Sequence, residues 1–206
     1  MLTLWGRANS SNVMKVIWLL EELRLPYQRI DAGGAFGRTN TPEYRAMNPT
    51  GLVPTLQDGD FSLWESNAIL RYICDAHAPG TPLWPQSPRV RANIDRWMEF
   101  HHTLVRPQGV IFFGLVRCSP EQRDMTAIAE AAKEAARYWA ILDSVLAHNA
   151  YLAGDALSLA DIVWGPNLHR WFFFAIERPE APHLRAWYER LLQRPAYRQH
   201  VAVTPT

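Results

Sequence analysis

Cysteine is scarce in this chain, and its scarcity excludes several kinds of site. Cys74 and Cys118 are the two cysteines among 206 residues. Two thiols so far apart in sequence cannot build a disulfide framework or a zinc knuckle. Cys74 falls on the apolar face of a predicted helix, where we expect a buried structural thiol.

Charge of one sign and long apolar runs are also missing. Twenty-one basic residues balance twenty acidic ones, for a net charge of +1 at pH 7, so nothing in the composition indicates the stripe of positive charge that duplex nucleic acid requires. The apolar start, residues 1–5, is too short for a signal peptide, and no later run reaches the roughly eighteen apolar residues of a membrane span. We therefore expect a cytoplasmic protein that binds neither nucleic acid nor membrane.

Metal-binding patterns are absent as well. Glu99, His101 and His102 lie close in sequence, but adjacent residues of a helix point about 100° apart, and no His-x-x-x-His pair of zinc-ligand spacing occurs. The glycines of residues 33–37 lack the lysine and the helix spacing of a phosphate-binding loop. We expect no metal site.

The chain does contain a large apolar fraction, 48% of its residues, which is enough for a substantial core. Residues 2–5, 13–25 and 27–31 have the patterns of strand, helix and strand, and so short a crossover implies that the two strands are parallel. A short helix, a hairpin around Asp58-Gly59-Asp60 and a further helix follow. This order predicts an α/β domain.

A proline-rich segment then interrupts all periodicity. Residues 78–88, APGTPLWPQSP, contain four prolines and a glycine. We expect a first domain over residues 1–78, a linker over 79–88 and an all-helical domain over 89–206. The helices predicted in that last part span residues 90–116, 120–148, 159–174, 181–193 and 196–203.

Ser158 and Asp161 have the Ser-x-x-acid spacing of an N-terminal cap for the helix predicted over residues 159–174.

The most informative segment is residues 48–73, NPTGLVPTLQDGDFSLWESNAILRYI. Val53-Pro54 leads into a strand, and an X-Pro bond is the place where a cis peptide costs little. In a cis turn the N–H and C=O of Val53 would face outward and pair with an extended peptide. Glu65-Ser66 opens a helix whose free N–H groups, hydroxyl and dipole favour a carboxylate. The two halves together predict a peptide-binding site.

This layout resembles the cytosolic glutathione transferases, in particular bacterial serine-type classes similar to theta, zeta and nu. The resemblance covers the whole chain and implies a thioredoxin-like N-terminal domain with a mixed four-stranded sheet, followed by an all-α helical bundle. In that family the residue before the cis-proline pairs with the cysteinyl backbone of glutathione, and the Glu-Ser pair takes the γ-glutamyl end. The resemblance therefore assigns glutathione binding to Val53, Pro54, Glu65 and Ser66.

The family also implies partners and further contacts. Glutathione is expected as a co-substrate, a small hydrophobic electrophile as the second substrate, and the assembly as a homodimer. Arg38, Thr39 and Asn40, in the loop before the second helix, are candidates for the glycyl carboxylate of glutathione. A solvent-exposed loop is the alternative interpretation of these three residues.

The chemistry requires a thiolate, because a free thiol has a pKa of about 8.5 and is mostly protonated at neutral pH. Lowering that pKa by two units needs about 2.7 kcal/mol, and one hydrogen bond to a charged group supplies roughly 1.5 to 3 kcal/mol. Ser10, Ser11 and Asn12, in the first strand-to-helix turn, are the candidate donors. Capping of the following helix is the alternative role of these residues.

Within this turn, the resemblance ranks the candidates. Ser10 falls where the serine-dependent classes have their catalytic serine, Asn12 where a nu-like class has an asparagine, and Ser11 is the neighbouring alternative. Trp5 stands where other classes have a tyrosine, and an indole cannot act as an acceptor or acid. No cysteine lies in the turn, which disfavours dithiol redox chemistry by the protein's own thiols.

The second substrate is expected between the first domain and the first long helices of the second. An apolar, aromatic-lined pocket would suit a hydrophobic electrophile, although aromatic residues at helical spacing are also typical of a core. The candidates in this region are Trp97, Phe100, His101, Arg106, Val110, Phe113, Arg117 and Trp171.

The sequence thus predicts a glutathione transferase that conjugates the glutathione thiolate to hydrophobic electrophiles, as in detoxification. Two alternatives remain open. The same site would serve a glutathione-dependent isomerase, peroxidase or disulfide reductase. A non-catalytic relative would keep the fold and bind glutathione or another ligand.

Overall fold

The computed structural model describes residues 1–206, and its first part is a four-stranded sheet with three helices. The elements in chain order are β1 (Leu2–Trp5), α1 (Ser11–Glu22), β2 (Tyr27–Ile30), α2 (Pro42–Met47), β3 (Thr55–Asp58), β4 (Phe61–Trp64) and α3 (Ser66–His77). The strands run in the order β2-β1-β3-β4, with β1 parallel to β2 and the other two pairs antiparallel. This mixed sheet confirms the predicted fold class.

The remainder of the chain is helical, again as predicted, but with different helix bounds. The helices are α4 (Pro88–Phe100), α5 (His102–Phe112), α6 (Met125–Leu146), α7 (Leu159–Phe173), α8 (Pro182–Leu192) and α9 (Pro195–His200). A π-helical turn, Phe113–Arg117, continues α5, and short 3-10 turns occur at Gly34–Phe36 and Pro120–Gln122. No helix combines the length and the apolar character needed to cross a membrane.

Two predicted helices differ from the observed ones. The single helix expected over residues 90–116 is divided at His101 into α4 and α5. At this point the helical ladder tightens, because Leu104 N donates to the His101 carbonyl at 3.0 Å, three residues back rather than four. The helix expected from residue 120 begins only at Met125, where the Asp124 side chain caps it by accepting from Ala127 N at 2.9 Å.

Helix α7 is the centre of the molecule. Every residue from Leu159 to Trp171 is buried, and α7 contacts α1, α3, α4, α5 and α8. The predicted cap is present: Asp161 is 0% exposed and accepts from Ser158 N at 2.9 Å and from Trp187 Nε1 at 3.1 Å. Burial raises the pKa of Asp161 to about 6.

Helix α1 joins the sheet to the helical part. Its residues from Val13 to Leu20 are all buried, including one lysine, because α1 is surrounded by α3, α7 and α9. Cys74, on α3, is 1% exposed, which confirms the expected buried thiol. Cys118 is half-buried and follows the π-helical turn.

Candidate active site

Val53 and Pro54 form a turn immediately before β3, and the bond between them is cis. The cis bond confirms the expectation from the X-Pro pair. Neither the N–H nor the C=O of Val53 takes part in a backbone hydrogen bond, and the neighbouring Leu52 is 67% exposed. The main chain of Val53 is therefore free to pair with an extended ligand.

Two buried polar side chains hold this turn from beneath. Tyr44 and Asn48 are each 1% exposed. Tyr44 Oη and Asn48 Nδ2 both donate to the carbonyl oxygen of Leu52, at 2.6 and 2.9 Å. Both also contact Thr55 Oγ1, at 2.8 and 3.0 Å. Tyr44 and Asn48 position the turn although they were not among the predicted site residues, because a lone tyrosine or asparagine near a loop carries no distinctive sequence signal.

Glu65 and Ser66 lie where β4 leads into α3. Glu65 has a φ of 71°, a left-handed conformation that residues other than glycine rarely adopt, and its side chain does not cap the helix. Ser66 begins the helix and is 6% exposed. Since no capping side chain occupies the first-turn N–H groups, they and the helix dipole favour a bound carboxylate.

The turn between β1 and α1 passes close to Val53. A Cβ added at Gly6 would lie 3.4 Å from Val53 Cβ. Ser10 immediately precedes α1, but its side chain makes no capping hydrogen bond. Ser11 is half-buried and Asn12 is exposed at the start of the helix. Capping, the alternative role considered for Ser10, does not occupy its hydroxyl.

The loop before α2 has its own internal contacts. Asn40 Oδ1 accepts from Arg45 Nη2 at 2.9 Å, and Arg45 Nη1 donates to the Pro49 carbonyl at 2.7 Å. Arg38 is exposed and has a φ of 68°, and Thr39 is half-buried. These contacts organise the loop, and an interaction of Thr39 or Asn40 with glutathione stays a prediction.

A buried polar cluster lies behind the site, at the junction of the two halves of the chain. Lys15 on α1 is 2% exposed, and burial lowers its pKa to about 7, opposed in part by the charge of Glu65. His101 is also 2% exposed, with its Nε2 2.8 Å from Asn167 Nδ2. Burial lowers the pKa of His101, and the charge of Lys15 lowers it further. The only sequence signal for this cluster was a lysine inside the apolar run of residues 13–20.

The predicted second-substrate residues do not line one pocket. Trp171 and His101 are each 2% exposed, and Trp171 packs against Trp139 with ring centroids 5.9 Å apart. Phe113 is 64% exposed. The remaining candidates border two separate grooves. Trp97 and Phe100 line one of about 400 Å³ with Arg96 and Ile141, and Arg106 and Val110 line another of about 530 Å³ between α5 and α6.

The division of the predicted helix explains this dispersal. Trp97 and Phe100 lie about one turn apart on α4 and line the same groove, whereas Arg106 and Val110 lie on α5, beyond the division at His101. Among the candidates, Arg117 is exposed but borders neither of these two grooves. Its guanidinium lies 5.6 Å from the Phe112 ring centroid, and it hydrogen-bonds to the same residue, Thr206, that Asn9 contacts in the turn before α1.

Comparison with known proteins identifies relatives of the whole chain. The sequence matches the family models of the glutathione S-transferase N-terminal domain over residues 1–75 and C-terminal domain over residues 96–195. It is 43% identical to glutathione S-transferase GstB of Escherichia coli strain K12, over 98% of this chain and 99% of that protein. It is 33% identical to glutathione S-transferase 3 of Zea mays, over 99% of this chain and 95% of that protein.

A solved structure gives the same result at the level of the fold. The theta class glutathione S-transferase from the citrus canker pathogen Xanthomonas axonopodis pv. citri, with glutathione bound, superposes with a TM-score of 0.94 at 47% sequence identity. The match covers 100% of this chain and 99% of that one.

Proposed function

The chain belongs to the glutathione S-transferase family, and from this premise we propose that it conjugates the glutathione thiolate to small hydrophobic electrophiles, in a detoxifying role in the cytoplasm. The observation that carries the proposal is the free main chain of Val53 at a cis bond, next to a turn whose serine hydroxyl is not used for capping. The similar Xanthomonas structure, which contains glutathione, supports it.

Glutathione would lie along the edge formed by the cis turn and the start of α3. The N–H and C=O of Val53 pair with the cysteinyl main chain, as an added strand would. Ser66 and the first-turn N–H groups bind the γ-glutamyl carboxylate, with Glu65 beside them. Thr39 and Asn40 are the candidates for the glycyl carboxylate.

Ser10 is proposed to activate the sulfur. Its hydroxyl donates a hydrogen bond to the thiolate, which favours the charged form and lowers the thiol pKa. Asn12 is the second candidate and Ser11 the third. The thiolate then attacks the electrophile, forming a carbon–sulfur bond while the leaving group departs with its electron pair.

We also propose a homodimer in which each protomer is divided into a glutathione-binding domain over residues 1–78, a linker over 79–88 and a helical domain over 89–206. The start of α4 at Pro88, the last residue of the proline-rich segment, supports this division. Trp97, Phe100 and Arg106 line open grooves and remain candidates for contacts with the electrophile.

Replacement of Ser10 tests the mechanism. Ser10→Ala is expected to raise the pKa of bound glutathione by about one to two units, because one hydrogen bond to a charged group is worth roughly 1.5 to 3 kcal/mol. Conjugation at neutral pH should fall in parallel. The pKa is measured from the ultraviolet absorbance of the thiolate in the protein–glutathione complex as a function of pH.

A matched control is available at the start of α4. Ser87 is also an N-terminal cap residue whose side chain makes no capping hydrogen bond, so Ser87→Ala should leave the thiol pKa unchanged. An unaltered titration in Ser10→Ala, together with a shift in Asn12→Ala, would transfer the role to Asn12.

A further inference from the structure

Three arginines converge beside the turn that carries Ser10. Arg7 lies in that turn, Arg117 ends the π-helical turn and Arg170 lies on α7. None of them forms an ion pair with a carboxylate side chain. Arginines seldom gather in this way without an anion, because like charges repel and burial of an unpaired charge is costly.

Main-chain contacts fix two of the arginines around the turn. Arg170 Nη2 donates to the carbonyl oxygen of Asn9 at 3.2 Å. Arg117 Nη2 donates to the main-chain oxygen of Thr206 at 3.1 Å, and Asn9 Nδ2 donates to Thr206 Oγ1 at 2.8 Å. Asn9 therefore links the turn to both arginines, and the remaining N–H groups of the two guanidiniums are left for an external acceptor.

Arg7 connects this cluster to the predicted position of the sulfur. A Cβ added at Gly33 would lie 3.2 Å from both Arg7 Nη1 and Val53 Cγ1. The guanidinium of Arg7 and the side chain of Val53 thus border the same glycine. Since Val53 is the residue proposed to pair with the cysteinyl unit of glutathione, Arg7 lies on the side where the reacting atoms would meet.

An aromatic ring completes the arrangement. The Arg170 guanidinium carbon is 4.1 Å from the Phe112 ring centroid, and that of Arg117 is 5.6 Å away. Phe112 also packs against Phe174, with centroids 6.5 Å apart. The cluster therefore offers an apolar surface flanked by positive charge.

The charges affect one another. Arg170 is 7% exposed, and burial lowers its pKa to about 10, with further lowering by Arg7 and Arg117. Burial and the charge of Arg117 likewise lower the pKa of Arg7. A bound anion would relieve this repulsion, and the planar guanidinium suits a carboxylate in particular.

We propose that Arg7, Arg117 and Arg170 bind a carboxylate of the second substrate while its apolar part packs on Phe112. This inference rests on the proposed conjugation reaction and narrows its substrate class to electrophiles that carry an anionic group. The thiolate forms a bond to the electrophilic carbon, and a halide leaves with the electron pair of the broken bond.

The test compares two electrophiles that differ in charge, chlorodinitrobenzoate and chlorodinitrobenzamide. Steady-state kinetics are measured for the unaltered protein, Arg7→Met, Arg117→Met and the control Arg185→Met. Arg185 stacks on Phe172 at 3.9 Å on α8 and forms no hydrogen bond to a carboxylate, so it reproduces an arginine–phenylalanine contact outside the cluster.

For the benzoate, KM is expected to rise about tenfold in Arg7→Met and Arg117→Met with little change in kcat, because a binding contact to a charged group is lost. The amide KM should change less than about twofold, and Arg185→Met should resemble the unaltered protein. A benzoate-to-amide ratio of kcat/KM that is equal in all four proteins would overturn the proposal.

A binding measurement separates this proposal from the conjugation reaction. Dinitrobenzoate and dinitrobenzamide lack a leaving group, and their affinities for the protein saturated with S-methylglutathione are measured by calorimetry. Preference for the benzoate that is lost in Arg7→Met supports the anion site even if no electrophile is turned over, in which case the conjugation assignment alone fails. Equal affinity for the two compounds in the unaltered protein contradicts the anion site.

Discussion

The part of the site proposed to bind the cysteinyl and γ-glutamyl units of glutathione, called the glutathione side below, comes from one contiguous segment. The side proposed for the second substrate comes from segments far apart in the chain. Val53 and Ser66 both lie within residues 48–73, and their geometry is local: a cis bond, a left-handed residue and a helix start. Arg7 and Arg170 lie near opposite ends of the sequence and meet only because α1 packs against α7.

This difference determines what each side depends on. A turn and a helix start are dictated by the backbone preferences of a few neighbouring residues. The glutathione side therefore depends mainly on the local conformation of residues 48–73. A cluster of arginines depends on the packing of entire helices and on how α7 is oriented toward the turn before α1. Substitutions should therefore affect the two sides separately.

The largest expected effect is at Lys15, in the buried polar cluster at the junction of the two halves of the chain. Because burial lowers its pKa to about 7 from about 10.4 in an unfolded chain, the unfolded state binds a proton between these values that the folded state does not. The free energy of unfolding should consequently rise with pH in this window, by up to about 1.4 kcal/mol per pH unit. Below about pH 7 both states are protonated and this contribution to the slope disappears.

Lys15→Met should remove that slope. The gain in the free energy of unfolding relative to the unaltered protein should be largest near pH 7 and smallest near pH 10. Urea denaturation at several pH values measures this difference. Lys133, whose side chain is 72% exposed, provides the control, since Lys133→Met removes the same charge from the surface. Identical slopes in the unaltered protein and Lys15→Met would show that Lys15 is not buried in the neutral form.

Much of the fold could be predicted from the sequence, because hydrophobic periodicity and turn residues are local signals. The strand and helix order before residue 78 and the cap formed by Ser158 and Asp161 are examples. The division of the helix over residues 90–116 was not predicted, since no proline or glycine marks His101, where the division occurs, and Pro107 lies inside α5. The fit of aromatic side chains into a core is a tertiary property, and for that reason Trp171 was assigned to a pocket although it packs inside.

The candidate site likewise combines local features that the sequence predicts with tertiary contacts that it does not. The cis turn, the uncapped start of α3 and the serine before α1 all follow from residue types at fixed spacing. Tyr44 and Arg170 could not be identified in this way, because their importance depends on a carbonyl or a turn that only the folded chain places beside them.

An intermediate effect is expected at Asn48, which supports the glutathione side alone. Asn48→Ala removes hydrogen bonds to the Leu52 carbonyl and to Thr55, and buried losses of this kind cost about 1 to 3 kcal/mol. The free energy of unfolding should fall by this amount, and the KM for glutathione should rise severalfold as the cis turn loosens. Denaturation and kinetics with varied glutathione measure the two changes.

The benzoate-to-amide ratio of kcat/KM should stay constant in Asn48→Ala. Asn48 contacts Leu52 and Thr55 and none of the three clustered arginines, so its loss should leave the choice of electrophile unchanged. Asn93→Ala serves as the control, because Asn93 Nδ2 also donates to a main-chain carbonyl, that of Ala153, at 3.0 Å, but in the helical half. A change in electrophile preference in Asn48→Ala would mean that the two sides are coupled through the turn.

The smallest expected effect is a change in the reactivity of a cysteine thiol. Cys74 lies on α3, beside the glutathione side, and Cys118 follows the π-helical turn that carries Arg117. Burial raises the pKa of Cys74 to about 12, and with 1% exposure it should not react in the folded protein. Cys118 is half-buried and directly follows Arg117, so one thiol should react before unfolding and two after it, as counted by mass spectrometry.

The rate at Cys118 also measures the local charge. A positive cluster raises the local concentration of an anionic reagent, so a carboxylate-bearing aryl disulfide should react about two- to threefold more slowly with Arg117→Met, and the effect should shrink with added salt. Neutral iodoacetamide should react at the same rate with both proteins. If both reagents slow equally, Arg117 acts on the accessibility of Cys118, and the positive potential inferred for this side of the site would lose its support.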